Sequence, residues 1–171
     1  MDGLRRMIVD DLDTVLAWRN HPGVREHMFD RTVVSASEHA DWFASQSLRD
    51  DVELLLFERD GFASGYVRLD VNRHCSRAEW GFYKAPTAAA GTGSKMGEAV
   101  LSRVFDELDL NRLTGLVLET NVKSLHFHAK LGFTEEGILR EHHAIDTRRI
   151  SVHCFGLLEK EWRARRHFTD Q

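Results

Sequence analysis

The sequence predicts a mixed α/β fold: a mixed sheet covered by helices, with at least one parallel crossover. Three observations carry that prediction. Early helical segments precede a hairpin signal, the second half alternates strand, helix, strand, helix and two more strands, and nothing resembling a linker or repeat interrupts this order. At 171 residues the chain fits one domain, residues 1–171, because a chain of this size buries roughly 70% of its unfolded surface. Its 42% hydrophobic and 29% charged residues are those of a globular protein, neither disordered nor membrane-embedded.

The elements follow in order. "LRRMI" reads as a short strand, and "DDLDTVLAWRN" as a helix with acidic residues in its first turn, ended by Asn20, Pro22 and Gly23. Ser35 lies three residues before Glu38, the spacing of a capping box, so a second helix carries His39, Trp42, Phe43 and Gln46. "VELLLF" and "GYVRLDV", joined across an Asp-Gly turn signal, form a hairpin. "RAEWGFY" is a strand whose nearly unbroken apolar run suggests burial on both faces. Met96, Val100, Val104 and Leu108 make one stripe of the helix from Ser94 to Leu108. "RLTGLVLE" is a buried strand, Asn121 an N-cap, "SLHFHAKL" a helix and Gly132 its stop. "ILREHHAI" and "ISVHCFGLLE" are the closing strands, and "RARRH" reads as a solvated tail.

Composition narrows the function classes. A formal net charge of −4 gives no basic excess for nucleic acid. Two cysteines, Cys75 and Cys154, make no disulfide framework. No stretch approaches the roughly 20 apolar residues of a membrane span, the start has no apolar signal core, and the expected location is cytoplasmic. His126 and His128 diverge on a helix and His142 and His143 on a strand, so no metal site is expected. Gly-x-Ser-x-Gly is absent, which leaves a hydrolase triad without support.

The stretch "GFYKAPTAAAGTGSKMGEAV" joins a strand to a helix through Gly91 and Gly93. A helix N-terminus leaves amides unpaired and positive, so bare backbone here suits phosphate oxygens; the alternative is a flexible connection in which small residues only avoid steric conflict. Neither a Walker loop nor a dinucleotide fingerprint is present. Together with "LDLNRLTGLVLETNVKSLHFHAKLGF", the loop resembles the acetyl-coenzyme A core of the GNAT (Gcn5-related) N-acetyltransferase superfamily. That resemblance implies a bent mixed sheet of about six to seven strands, with the fourth and fifth splayed to admit pantetheine and helices on both faces. It implies that the amides of Gly91, Thr92, Gly93 and Ser94 hold the pyrophosphate of acetyl-CoA, that Gly81, Phe82 and Tyr83 pair with pantetheine, and that Asn121 and Ser124 line the sulfur end. Two departures stand out: Ala88 occupies a position usually Arg or Gln, with Lys84 or Lys95 as substitutes, and His128 replaces the tyrosine that protonates the thiolate.

The resemblance also offers catalytic candidates. Glu79, beside Trp80 and Phe82, is the expected base, since partial burial would raise its pKa; the alternative is a strand-end glutamate paired with Arg77 or Arg68. His128 is either the acid or a packed helix histidine beside Phe127. "WRNHPGVREHMF", "AEWGFY" and "FGLLEKEW" are similar to the acetyltransferases of pseudaminic acid biosynthesis, which act on the 4-amino group of UDP-4-amino-4,6-dideoxy-N-acetyl-β-L-altrosamine. The implied acceptor is therefore a nucleotide sugar, contacted by Trp18, Arg19, Asn20, Arg25 and Trp42. A peptide N-terminal acetyltransferase and a non-catalytic acyl-CoA-binding module are the competing readings, and the chain leaves room for a homodimer.

Overall fold

Asp60 and Gly61 both adopt left-handed φ, 55° and 83°, which is the two-residue turn that suits the twist of flanking strands. They join β2 (Val52–Arg59) to β3 (Phe62–Asn72), the centre of the first half of the sheet. In the computed structural model, which describes residues 2–169, the sheet has seven strands in the order β1-β2-β3-β4-β5-β7-β6. β1 is Gly3–Arg6, β4 Arg77–Lys84, β5 Arg112–Leu118, β6 Thr134–Ile145 and β7 Arg148–Leu158. β4 and β5 are the parallel pair and the other neighbours are antiparallel.

Helices cover both faces. α1 (Leu12–Asn20), α2 (Pro22–Arg25) and α3 (Ala36–Ser47) lie on one side. The Ser35 hydroxyl accepts from the Glu38 amide at 3.2 Å, and the Glu38 carboxylate accepts from the Ser35 amide at 2.8 Å, completing the box that starts α3. α4 (Thr92–Ser102), continued by a wider π-type turn over Arg103–Glu107, and α5 (Val122–Leu131) lie on the other side with α6 (Glu159–Thr169). The sheet splits the core accordingly. Leu54, Leu56 and Tyr66 pack with Val15 and Phe43 beneath α1 and α3, whereas Leu55, Phe57, Val67, Leu69 and Trp80 pack with Met96, Val100, Val104 and Phe105 beneath α4.

One expectation is corrected here. β4 is not buried on both faces: Ala78 and Trp80 are buried while Glu79 and Gly81 are exposed, because the second face borders open cavities rather than a helix. β2 is the strand buried on both sides, from Val52 to Phe57. The "RARRH" stretch, read as a solvated tail, is helical with Arg163 to Arg166 exposed, while the preceding Trp162 is buried against Phe105 with the Arg166 guanidinium 4.7 Å over the indole.

What positions the site is the way β4 leaves β5. Their register runs from Arg77↔Arg112 to Trp80↔Gly115 and stops there, although β4 continues to Lys84 and β5 to Leu118. β5 keeps pairing with β7 to its end, so β4 is the strand that departs. His128 of α5 lies under the last paired register: a Cβ at Gly115 would fall 2.4 Å from its Nε2 and 2.8 Å from the Trp80 indole nitrogen. Gly115→Ala should therefore lower the unfolding free energy by about 1–3 kcal/mol in urea titrations, as overpacking of a tight core does. Gly137→Ala, where a Cβ would meet nothing within 4 Å, is the control expected to stay close to wild type.

Candidate active site

The strand-to-helix loop is built around Gly91, which caps α4 at φ 81°, a conformation that L side chains resist. The Gly91, Gly93 and Ser94 amides make no hydrogen bond among the described residues. They are the orphan donors of a helix start, gathered on one turn. The Thr92 amide differs from the expectation. It donates to the Ala89 carbonyl at 3.2 Å, and its buried hydroxyl accepts from Arg59 at 3.0 Å. Arg59 also donates to the Ala90 carbonyl at 2.8 Å, so Thr92 and Arg59 brace the loop while its neighbours stay open.

Cations flank those amides. A Cβ at Gly93 would lie 3.4 Å from Cδ of Lys84, so that lysine lies along the loop, and Lys130 donates to the Ser94 hydroxyl at 3.3 Å. Of the two lysines expected near Ala88, Lys84 thus lies along the loop, whereas Lys95 is turned to Asp2 at 2.5 Å. Lys130 escaped the sequence reading, because only the packing of α5 beside α4 brings it near Ser94.

Across the wedge, Asn121 uses its side-chain oxygen to cap α5, accepting from the Ser124 amide at 3.2 Å. Ser124 Oγ lies 3.4 Å from Nδ1 of His128. The same Nδ1 is 2.8 Å from the Ser124 carbonyl, which can only accept, so Nδ1 carries the proton. Nε2 then accepts from the Trp80 indole N–H at 3.2 Å. Both nitrogens are committed, the residue is 1% exposed, and its ring stacks on Phe155. The geometry accordingly fits the packed-histidine reading: His128 is a strut between β4 and β7, with no spare N–H for a leaving thiolate. Burial holds its pKa below the ordinary value, against the Ser124 carbonyl, which raises it.

On the α1–α3 side of β4, a cavity of about 380 Å³ abuts the wedge through Gly81, Phe82 and Tyr83. Of the expected acceptor residues, Arg19 and Trp42 line it. Arg19 donates to the Asp30 carbonyl at 2.6 Å, holding the connection between α2 and α3 against α1. Asn20 does not line the cavity: its amide both donates to and accepts from the Val34 backbone, at 2.8 and 2.9 Å, and so brackets the chain. Trp18 packs into the α1–α3 core, and Arg25 lies outside the lining.

Sequence reasoning missed Tyr66, Arg68, Asp30 and His39 in this cavity. Tyr66 and Arg68 face it because they pair with Tyr83 and Gly81, a register that one strand alone does not reveal. His39 stacks on Trp42 with centroids 5.2 Å apart.

Glu79 stands apart from that cavity. It borders a second one, of about 590 Å³, with Asp70, Arg77 and Thr114. Desolvation and then the Asp70 charge push its carboxyl above the usual value, with Arg77 opposing. Arg68, one alternative partner for Glu79, is instead bound bidentately to Asp70 at 2.6 and 2.7 Å. Among the described residues no three His, Cys, Asp or Glu side chains gather as a metal site, and no helix is long and apolar enough to cross a membrane.

Comparison with known proteins agrees with this layout. A family model described as an acetyltransferase (GNAT) domain matches residues 3–134. An uncharacterized N-acetyltransferase p20 of Bacillus licheniformis is 24% identical over 166 residues, covering 93% of both chains. A spermidine N(1)-acetyltransferase of Escherichia coli strain K12 is 27% identical over 138 residues, covering 80% of this chain and 74% of its own. The crystal structure of a spermidine N-acetyltransferase from Vibrio cholerae, in complex with CoA and spermine, superposes with a TM-score of 0.88 at 22% identity, covering 94% of this chain and 97% of that one. These named substrates are polyamines, not the nucleotide sugar of the sequence resemblance.

The two buried imidazoles make stability depend on pH. Burial depresses the pKa of both His128 and His39, the latter with help from Arg19. Their unfolded values lie near 6.5, so the unfolded chain takes up protons first as pH falls. Stability from these groups is complete above about pH 6.5 and is lost as pH drops through the folded values, by up to about 1.4 kcal/mol per pH unit for each. Urea unfolding between pH 7 and 5 should show this slope, and His39→Asn should reduce it.

Proposed function

Because the chain belongs to the GNAT acetyltransferase family and is an acetyl-CoA-dependent N-acetyltransferase acting on an amine, we propose that its acceptor is an amine on an anionic, aromatic-bearing molecule, best matched by a nucleotide-linked amino sugar. The charge of the acceptor cavity carries this reading. Arg19 lines it against the Asp30 carboxylate, with Arg68 offset by its bidentate pairing to Asp70, among the rings of Trp42, Tyr66 and Tyr83. Such a lining has no surplus of negative charge to hold a polycation, while Arg19 and the rings suit a phosphate and a base. The larger cavity offers no surplus of negative charge either, with Asp51, Asp70 and Glu79 set against Arg49, Arg73 and Arg77. The stretch "WRNHPGVREHMF", which forms part of the cavity wall, agrees with this choice. A cytoplasmic setting belongs to the same proposal.

The residues present fit acetyl-CoA. The Gly91, Gly93 and Ser94 amides would hold the pyrophosphate with Lys84 and Lys130, and the β4 edge from Gly81 to Tyr83, free of β5, would pair with pantetheine. Asn121 and Ser124 would face the sulfur end. When bound, acetyl-CoA supplies the activated acyl group as a thioester. The protein's own part is to exclude water with Phe82 and Phe127, whose rings lie 5.2 Å apart, and to align the amine entering past Gly81. Gly81 has no heavy atom within 4 Å of a Cβ position, so the passage there is clear.

A second reading, polyamine acetylation, is favoured by the names of the relatives. Release of free CoA thiol separates the two. With UDP-4-amino-4,6-dideoxy-N-acetyl-β-L-altrosamine, kcat/KM should exceed that for spermidine by at least about 10-fold, the equivalent of about 1.4 kcal/mol. A preference for spermidine, or for a peptide with a free N-terminus, overturns the proposal. The Lys84→Ala, Lys130→Ala double variant should raise the KM for acetyl-CoA roughly 5- to 10-fold with kcat little changed, the effect shrinking in high salt.

A further inference from the structure

Two polar atoms on residues lining the 380 Å³ cavity have no partner: Nδ1 of His39 and the hydroxyl of Tyr66. Both residues are 6% exposed, so water does not substitute freely for the missing bonds. Stacking on Trp42 fixes the imidazole plane without using Nδ1, and the Trp42 ring also meets the edge of Tyr66 at 6.3 Å. We propose that His39 takes the proton from the acceptor amine as it attacks the thioester, with the Tyr66 hydroxyl bonding the same amine. This rests on the reading of the cavity as the acceptor site.

Glu79, the carboxylate expected in this role, borders the other cavity, beyond the Arg68–Asp70 ion pair. His39 shares its cavity with Gly81 and Phe82, where the wedge opens. The charged and titratable groups around it are Arg19 from α1, Asp30 from the connection, Tyr66 and Arg68 from β3, and Tyr83 from β4. Burial and Arg19 keep the imidazole neutral at pH 7, so its lone pair is available. In the step, the amine nitrogen bonds to the thioester carbon and the carbonyl electrons move to oxygen. The resulting N–H⁺ gives its proton to Nδ1, the C–S bond breaks as the carbonyl reforms, and the departing thiolate takes a proton from solvent. His39 returns its proton to solvent, and the net products are amide and thiol. Release of that proton to solvent restores the base each cycle.

The test compares wild type with His39→Asn, Tyr66→Phe and Glu79→Gln, each assayed with the aminosugar nucleotide and with spermidine. His39→Asn should lower kcat roughly 100-fold or more while acetyl-CoA affinity by calorimetry stays within about twofold. The acidic limb of the pH–rate profile, below pH 6.5, should vanish in His39→Asn and persist in Glu79→Gln. Tyr66→Phe should raise the KM for the amine several-fold with a smaller effect on kcat. Without acetyl-CoA present, the His39 imidazole nitrogens in NMR should titrate below 6.5 and shift on adding either amine. Retention of kcat and of the limb in His39→Asn, loss of the limb in Glu79→Gln, or an imidazole signal unmoved by both amines overturns the assignment. A preference for spermidine would defeat the nucleotide-sugar proposal alone, since the same limb is then scored on spermidine.

Discussion

The parting of β4 from β5 after Trp80 and Gly115 is the constraint on which the rest depends. A parallel pair normally zips along its length, because each unpaired amide and carbonyl loses a bond. Here the pairing stops partway, and an aromatic block holds the strands apart: His128 is hydrogen-bonded to Trp80 and stacked on Phe155, with Phe82, Phe127 and Phe133 around it. Gly115 has no side chain because the imidazole and indole occupy that volume. The backbone groups freed on β4 are left open to pair with a linear amide-bearing ligand, so one local loss of sheet bonding opens a cleft.

The cleft sits where the loop can serve it. α4 begins just after β4 ends and packs back over the sheet through Met96, Val100 and Val104, all fully buried, so its amino end is fixed relative to the wedge. Arg59 and Thr92 brace the turn, which leaves the Gly91, Gly93 and Ser94 amides unpaired without leaving the loop slack. The helix dipole and two flanking lysines add positive potential at the same point. Those lysines come from two separate elements, β4 and α5.

The two sides of the sheet meet different residues of β4, and the alternation of the strand decides which. Trp80 and Phe82 point to the α4–α5 core, whereas Glu79 and Gly81 open onto the other face. Gly81 is the crossing point, because it borders both wedge and cavity without a side chain to block either. Farther along that face Arg68 and Asp70 neutralise one another and divide the 380 Å³ cavity from the one that holds Glu79.

Much of this was legible in the sequence. The capping box at Ser35, the Asp60-Gly61 turn, the Met96–Val104 stripe and the stop at Gly132 are local signals, fixed by hydrogen bonds or φ preferences within a few residues, and each appears where the sequence put it. The glycine that opens α4 and the Asn121 cap of α5 were likewise legible, because consecutive residues set them. Contacts between distant segments were not. The commitment of both His128 nitrogens requires Trp80 and the Ser124 carbonyl together, the approach of Lys130 to Ser94 requires two packed helices, and the membership of Tyr66, Arg68 and His39 in one cavity requires a strand register and the docking of α3. The sequence by itself determined which segments become strands and helices and where backbone stays bare. Only the tertiary structure decided which side chains share a cavity and which are spent as struts, because those choices depend on pairing energies summed across elements far apart in the chain.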